Sequence, residues 1–254
     1  MRFCELSVKA MAFFAMACGV CGWSEPMSAR NHVLMSYNVR NCIGMDREND
    51  CQRVASVIAM QAPDMVAIQE LGSVTARSKQ CYVLGELAIA TGMHPFYAPA
   101  IEYGGGKYGI GILTKEEPIG VERYPLPGRE EPRAVIVVEF RDYFFACAHF
   151  SLTEADRVAS TDVIRKLADE KRKPFFIAGD FNAEPKSAEI TNLKQAFKVL
   201  SDTTQCTFPA DEPNCTIDYV MVANVPKSLK VKSVEVVDEP LASDHRPIVV
   251  KVSF

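Results

Sequence analysis

Several features that would fix the class of a protein at once are scarce in this sequence. It has four histidines and one tryptophan among 254 residues, and its formal net charge is only −4. This charge balance argues against a protein that holds nucleic acid by bulk positive charge, although a few local cations can still meet a phosphate. No repeat, low-complexity tract or linker rich in Pro, Gly or Ser divides the chain.

What the sequence does contain is enough apolar residues for a sizeable core. Hydrophobic residues make up 48% of the chain and charged residues 24%, which excludes a disordered chain and a collagen-like fibre. We therefore expect one large domain, which we place at residues 30–254.

The longest apolar run lies at the N-terminus, over residues 10–20. It is shorter than the roughly 20 residues that span a bilayer. Arg2 and Lys9 precede it and small residues follow it, which is the pattern of a secretory signal peptide over residues 1–22. We expect a secreted or periplasmic protein. A buried N-terminal helix is the alternative, and a lipid anchor on Cys18 is disfavoured because no aliphatic residue stands three positions before it.

The cysteines outside this leader agree with export. Cys42 and Cys51 stand nine residues apart in loop-like sequence, and so do Cys206 and Cys215, so we predict two disulfides in an oxidising compartment. Two further cysteines, at positions 81 and 147, lie in periodic apolar segments and are predicted to be buried thiols. A zinc site built on CxxC is not expected, because that motif is missing outside the leader.

Apolar periodicity predicts strands that alternate with a few helices. The predicted helices cover residues 51–60, 73–91, 155–169 and 187–198, and the predicted strands cover residues 32–38, 65–69, 95–100, 109–114, 121–124, 134–140, 143–150, 174–178, 216–222, 229–237 and 247–252. Such a pattern favours an α/β fold, most simply two sheets with helices outside them.

Polar side chains that could bind a metal or move a proton stand at the ends of these strands. They are Asn38, Glu70, His149, Asp180, Asn182, Asp218, Asp244 and His245. A single Asp after a strand is usually a turn former or a helix cap. Eight such residues, each beside an apolar strand, do not fit that interpretation and predict a functional site where strands end and loops begin.

The residue types indicate the chemistry of this site. Carboxylate and amide oxygens suit Mg²⁺, Mn²⁺ or Ca²⁺, and Asn38 with Glu70 can supply one cation site. Asp180 can act on a water while Asn182 donates to a phosphate oxygen. His245 is the natural proton carrier near neutral pH, and Asp218 is the candidate carboxylate that holds its tautomer. The other two histidines, at positions 32 and 94, are expected to be solvated or structural.

These residues lie in motifs that resemble a known family. The motifs are YNVR (37–40), IQE (68–70), KYGIGIL (107–113), AHFSL (148–152), GDFNAEP (179–185), TIDYVMV (216–222) and SDHRP (243–247). They resemble the endonuclease/exonuclease/phosphatase superfamily of deoxyribonuclease I-like phosphodiesterases, in a secreted bacterial type. The resemblance implies a four-layer α/β sandwich in which two central, mostly antiparallel sheets are flanked by helices. It also implies metal-dependent hydrolysis of phosphoesters, most simply phosphodiesters with Mg²⁺ as cofactor, by in-line attack of an activated water.

The resemblance also implies roles for individual residues. Asn38 and Glu70 would hold the metal, and Asp244 would assist the metal or His245. Asp180 would orient or activate the attacking water, and Asn182 would bind the scissile phosphate. Asp218 would pair with His245.

Three further positions match the family less directly. His149 stands where relatives carry a residue that touches the phosphate or the leaving oxygen. Glu102 falls where deoxyribonuclease-like members keep a carboxylate partner for that histidine, and its alternative is an exposed loop charge. Arg40 matches a residue that contacts a backbone phosphate, and its alternative is a surface cation.

The substrate stays open at this level, because this superfamily acts on many phosphoesters. Nucleic acid, a phospholipid headgroup and a small phosphodiester are the candidates, and Arg129, Arg133 and Lys107 are candidates for a local basic rim. The first alternative is a lipid (sphingomyelinase-like) or inositol phosphate phosphatase that uses the same site. The second alternative is a non-catalytic module that binds a phosphate ligand. No stable protein partner is implied, so we expect a monomer.

Overall fold

The computed structural model describes residues 30–254, so the predicted signal peptide lies outside the described residues. One sheet contains β1 (Asn31–Asn38), β2 (Met65–Ser73), β3 (His94–Tyr103), β4 (Gly106–Thr114), β11 (Lys230–Val236) and β12 (Ile248–Ser253). The other contains β5 (Gly120–Leu126), β6 (Arg133–Glu139), β7 (Phe144–His149), β8 (Phe175–Asp180), β9 (Lys198–Val199) and β10 (Asp218–Ala223). The strand orders are β11-β12-β1-β2-β4-β3 and β5-β6-β7-β8-β10-β9.

Each sheet has the same plan, a central parallel pair between antiparallel neighbours. The parallel pairs are β1 with β2 and β7 with β8. Their flanking strands, β12 and β4 in one sheet and β6 and β10 in the other, all pair antiparallel. The predicted mostly antiparallel sheets are therefore confirmed, and each sheet has one place where two carboxyl ends of strands lie side by side.

The two sheets pack face to face because successive strand residues point to opposite faces. Leu34 belongs to the cluster between the sheets, together with Ile136 and Phe176 of the second sheet. Its neighbour Met35 points to the outer face, where it packs with Ile58. Fully burying a side chain of this size stabilises the fold by roughly 1.5–3 kcal/mol.

Helices cover the outer faces of both sheets. The helices are α1 (Cys51–Gln61), α2 (Val83–Thr91), α3 (Glu154–Lys171) and α4 (Ala188–Leu193). The first two bury apolar side chains against the first sheet, and the last two do so against the second sheet. The predicted four-layer sandwich is confirmed. Between residues 30 and 254, no helix combines the length and the apolar character needed to cross a membrane.

The predicted helix over residues 73–91 is wrong in its first half. β2 continues to Ser73, and α2 begins only at Val83. Between them the Ser78 hydroxyl accepts a hydrogen bond from the backbone N–H of Thr75 at 3.0 Å, and the Thr75 hydroxyl accepts one from the backbone N–H of Ser78 at 3.0 Å. Such side-chain bonds compete with a helix and stabilise a turn instead.

Two other local predictions change. Cys81 lies in this turn and is exposed, whereas Cys147 is buried as predicted. The helix predicted over residues 187–198 ends at Leu193, because the chain then turns so that β9 can pair with β10.

Candidate active site

The candidate site forms where the two parallel pairs end. Asn38 ends β1 opposite Gln69 of β2, next to Glu70, and His149 ends β7 opposite Asp180 of β8. Asp218 begins β10 directly opposite Asp180. Because the sheets pack face to face, side chains from both meet here.

A bulge in β2 positions Glu70. The register between β2 and β4 shifts between Ile68 and Leu71, and Glu70 has a φ of 62°, in the left-handed region. Bulges of this kind re-aim a side chain and are common next to active sites. The carboxylate of Glu70 accepts a hydrogen bond of 3.1 Å from Asn38 Nδ2, which also donates to Asp180 Oδ2 at 3.0 Å. The buried Asn38 amide thus joins a carboxylate from each sheet.

The turn after β1 fixes the orientation of this amide. The backbone N–H of Arg40 donates to Asn38 Oδ1 at 3.1 Å, and the Ser243 hydroxyl donates to the Asn38 carbonyl at 2.7 Å. The Arg40 guanidinium lies 3.2 Å from Asp244 Oδ2. The predicted phosphate contact Arg40 and the predicted metal or histidine helper Asp244 therefore form an ion pair beside the site.

His245 is bound to a carboxylate on its outer side. Its Nδ1 donates to Asp218 Oδ2 at 2.9 Å, and the same oxygen accepts from the Thr207 hydroxyl at 2.6 Å. Its Nε2 lies 3.6 Å from Asp180 Oδ2. Burial lowers the pKa of His245, but the charges of Asp218 and Asp180 outweigh burial and raise that pKa from 6.5 to about 10. The ring is therefore protonated at neutral pH.

Asp180 stands at the centre of the cluster. Burial raises the pKa of its carboxyl group, and the charge of His245 opposes that rise. The backbone N–H of Asn182 donates to Asp180 Oδ1 at 2.9 Å, and Asn182 Nδ2 donates to the Phe150 carbonyl at 3.0 Å. The predicted phosphate donor Asn182 is thus next to Asp180, with its amide held on a backbone carbonyl.

His149 reaches the same carboxylate from the other side. Its Nε2 lies 3.6 Å from Asp180 Oδ2, and its Nδ1 lies 3.4 Å from Nη1 of Arg133, which itself lies 2.8 Å from Glu131 Oε1. Burial is the main cause that lowers the pKa of His149 to about 4; Asp180 opposes this shift, and the charges of Arg133 and His245 add to it. His149 is therefore neutral at neutral pH.

The structure does not bring Glu102 to His149. The Glu102 side chain is 78% exposed and lies 3.4 Å from Lys107, its partner across the β3–β4 hairpin. Sequence reasoning assigned Arg133 to a basic rim, whereas its side chain is 8% exposed and contacts His149. The contact follows from the register of β6 and β7, in which Val135 pairs with Ala148 and Arg133 therefore lies beside the end of β7.

We call Asn38, Glu70, Asp180, Asp218 and His245 the acidic cluster. Atoms of Asp180, Asp218 and His245 lie within 4.8 Å of one another, and both carboxylates already face the ring of His245. The hard oxygen donors on the Glu70 side do suit a divalent cation. A buried Asp180 carboxylate that burial makes costly to ionise also fits a nearby positive charge.

Two stacked sheets with such a cluster at their strand ends define the class of the deoxyribonuclease I-like fold. A family model described as the endonuclease/exonuclease/phosphatase family matches residues 35–245, a range that includes the whole acidic cluster. The chain belongs to the endonuclease/exonuclease/phosphatase family.

Solved structures share this fold at low sequence identity. An endonuclease/exonuclease/phosphatase from Beutenbergia cavernae DSM 12333 aligns with a TM-score of 0.70 and 18% identity over 88% of this chain and 71% of that one. A mannosyl-6-phosphatase from Bacteroides thetaiotaomicron VPI-5482 gives a TM-score of 0.68 and 18% identity over 88% and 100%. The human Nocturnin catalytic domain with bound sulfate gives 0.67 and 16% over 88% and 93%. No curated protein sequence matches the chain.

Proposed function

We propose that this protein hydrolyses phosphodiesters at the acidic cluster with the help of a divalent metal ion. The observation that carries the proposal is the pairing of His245 with Asp218 at 2.9 Å, directly beside the buried Asp180. This arrangement places a positive charge, a carboxylate and a hydrogen-bonding amide around one point. It suits a reaction in which negative charge grows on phosphate oxygens while a water is attacking.

Glu70 and Asn38 would hold the metal, and we propose Mg²⁺, with Mn²⁺ or Ca²⁺ as substitutes. When bound, the cation supplies positive charge that offsets the charge on the phosphate oxygens. Ser243 contacts both the Asn38 carbonyl and the Asp244 carboxylate, and Asp244 is proposed to assist the metal site through this contact.

The other side chains of the site have separate proposed roles. Asp180 orients the attacking water in line with the leaving oxygen and takes its proton as the new P–O bond forms, and the leaving oxygen departs with the electrons of the broken P–O bond. The protonated His245 cannot serve as a base, so it stabilises the charge on the phosphoryl oxygens while Asp218 fixes its orientation. Asn182 joins them when its amide leaves the Phe150 carbonyl for a phosphate oxygen.

The charges around the cluster favour a diester over a monoester. Arg40, Arg77 and Arg133 contact the site, and each is already paired with a carboxylate, at 3.2, 3.7 and 2.8 Å. A phosphate monoester carries nearly two negative charges near neutral pH, roughly −1.5 to −2, whereas a diester carries one. Because these arginines are already paired with carboxylates, the site compensates the single negative charge of a diester more readily than the two charges of a monoester.

The experiment compares substrates with a matched leaving group. Bis-p-nitrophenyl phosphate and p-nitrophenyl phosphate are assayed with Mg²⁺ and with EDTA, alongside plasmid DNA, sphingomyelin and inositol phosphates. We expect turnover of the diester, faster than that of the monoester and abolished by EDTA. Turnover that is indifferent to chelation would remove the metal from the proposal, and turnover of none of these compounds would favour a non-catalytic binding module.

We also propose export and two disulfides, which would stiffen the loops beside the cluster. In the described residues the cysteines are thiols, and the proximity of Cys42 and Cys51 raises the pKa of Cys42 and lowers that of Cys51. Cys206 and Cys215 flank a loop that is closed by a hydrogen bond of 2.9 Å from the Thr207 N–H to the Cys215 carbonyl. Peptide mapping without reduction, on protein recovered from outside the cytoplasm, tests both proposals together.

A further inference from the structure

Arg133 is a buried cation that contacts His149. Its side chain is 8% exposed, and its Nη1 lies 3.4 Å from His149 Nδ1. A guanidinium has five N–H donors, no acceptor and a permanent charge. In this contact Nδ1 must therefore be the acceptor, which leaves the ring proton on Nε2, the nitrogen that lies 3.6 Å from Asp180.

We propose that Arg133 is a positioning residue that holds His149 as a neutral imidazole with its proton on Nε2, so that His149 donates a hydrogen bond into the site but does not deliver a proton. The assignment of the tautomer stands on the contact with Arg133 alone. Its catalytic meaning rests on the proposed function, because the group that receives the hydrogen bond is then a phosphate or leaving oxygen.

The charged groups around His149 oppose a second proton on its ring. Asp180 of β8 attracts an imidazolium, whereas Arg133 of β6 and the charge of His245, from the loop before β12, repel it. Burial acts in the same direction as the two cations and is the largest cause of the lowered pKa. Glu131 lies 2.8 Å from Arg133, which makes the buried guanidinium tolerable without giving His149 a carboxylate of its own.

The hydrogen bonds of Arg133 suggest that it is placed for His149 rather than for stability. Its Nη1 serves both Glu131 and His149, while its buried Nε has no hydrogen-bond partner among residues 30–254. Leaving a buried donor unpaired is costly. A side chain optimised only for packing would not be expected to carry this cost.

The first experiment needs no variant of Arg133. A long-range ¹H–¹⁵N spectrum separates protonated from bare ring nitrogens, and the chain has only four histidines to assign. His149→Gln identifies the signal of His149. We expect a bare Nδ1 and a protonated Nε2 at neutral pH. A His149 that carries its proton on Nδ1, or on both nitrogens, would overturn the proposal whether or not the protein turns over any phosphoester.

The second experiment changes Arg133. Arg133→Met removes the charge and the donors but keeps the apolar stem, and we expect the titration midpoint of His149 to rise by at least about one pH unit. Arg133→Lys restores a charge and a donor and should keep the midpoint low. Arg129→Met is the matched control, because Arg129 pairs with Asp156 and does not contact His149. An unchanged midpoint in Arg133→Met, or an equal rise in the Arg129 control, would contradict the proposal.

The kinetic readout then separates the two proposals. If His149 donates from Nε2, Arg133→Met should lower kcat for bis-p-nitrophenyl phosphate by at least about tenfold with a smaller change in KM, and Arg133→Lys should recover part of the loss. A shifted titration together with an unchanged kcat would keep the tautomer but remove its catalytic role. If Arg133→Met does not fold, the spectrum of the native protein still decides the tautomer.

Discussion

Two buried histidines meet the same aspartate in this site but differ in charge at neutral pH, because His245 is protonated and His149 is neutral. His245 faces the Asp218 carboxylate with its Nδ1, and its pKa is raised to about 10. His149 faces the Arg133 guanidinium with its Nδ1, and its pKa is lowered to about 4. Both rings lie 3.6 Å from Asp180 through Nε2. Burial lowers the pKa of both rings, so the charged partner on the outer nitrogen is what sets their protonation states apart.

The largest effect is expected from removing the charges at the centre. Asp180→Asn and His245→Ala should each lower turnover of bis-p-nitrophenyl phosphate by at least about 10²-fold, because one removes the group proposed to orient the water and the other removes the positive charge proposed to lie beside the phosphate. His94→Ala is the matched control, since His94 is exposed at the start of β3. Near-native rates in either of the first two variants would refute the role assigned to that residue.

Removing the carboxylate charge beside His245 should make the charge states of the two histidine rings more alike. Asp218→Asn keeps the shape of the side chain but removes the charge that raises the pKa of His245, so that pKa should fall towards its ordinary value of 6.5. Turnover should fall by at least about tenfold, because a less charged and less firmly held ring stabilises the phosphate less. The His245 titration followed by NMR checks the first part, and a midpoint that does not move would contradict it.

A smaller effect should distinguish Glu131, which contacts Arg133, from Glu102, which the sequence had placed beside His149. Glu131→Gln loosens Arg133 and should lower turnover by a factor of about two to ten, whereas Glu102→Gln should leave it within about twofold, because Glu102 is 78% exposed and contacts Lys107. Steady-state rates of the two variants, measured side by side, test this predicted order. The reverse order of effects would restore Glu102 as the partner of His149.

The smallest effect concerns the segment that leads into β6. Hydrogen bonds from Ser151, Thr153 and the backbone N–H of Leu152 hold the Glu130 carboxylate and lower its pKa from 4.5 to about 2. A lowered pKa stabilises the fold above pH 4.5, and this contribution is lost as the pH falls through about 2. Glu130→Gln should cost less than about 1 kcal/mol at neutral pH, because the group is exposed, and the difference in free energy of unfolding should shrink on acidification. A difference that grows towards low pH would contradict this interpretation.

The sequence predicted the sheets and those site residues that directly follow a strand. Apolar alternation indicated both sheets, and the polar residues after the strands are the ones that the structure brings together around Asp180. This works because the carboxyl ends of the two parallel pairs must lie at sheet edges, whatever the details of packing.

The partner of His149 could not be predicted in the same way. It depends on the register between β6 and β7 and on the direction of one long side chain, neither of which has a local sequence pattern. Glu102 was misleading because Gly104 and Gly105, with φ of 55° and 85°, make a tight hairpin that pairs Glu102 with Lys107. The turn before α2 was missed because hydrogen bonds between Thr75 and Ser78 replace helical ones.

In the proposed mechanism the acidic cluster hydrolyses a phosphoester with a divalent cation held by Glu70 and Asn38. The most direct test is a Mg²⁺ titration of metal-stripped protein with bis-p-nitrophenyl phosphate, run in parallel on the native chain and on Glu70→Gln, which keeps an acceptor for Asn38. We predict that the native protein is inactive in EDTA and recovers saturably, and that the variant needs at least about tenfold more Mg²⁺. Equal activity in EDTA, or the same Mg²⁺ requirement in both proteins, would show that Glu70 and Asn38 do not hold a catalytic cation.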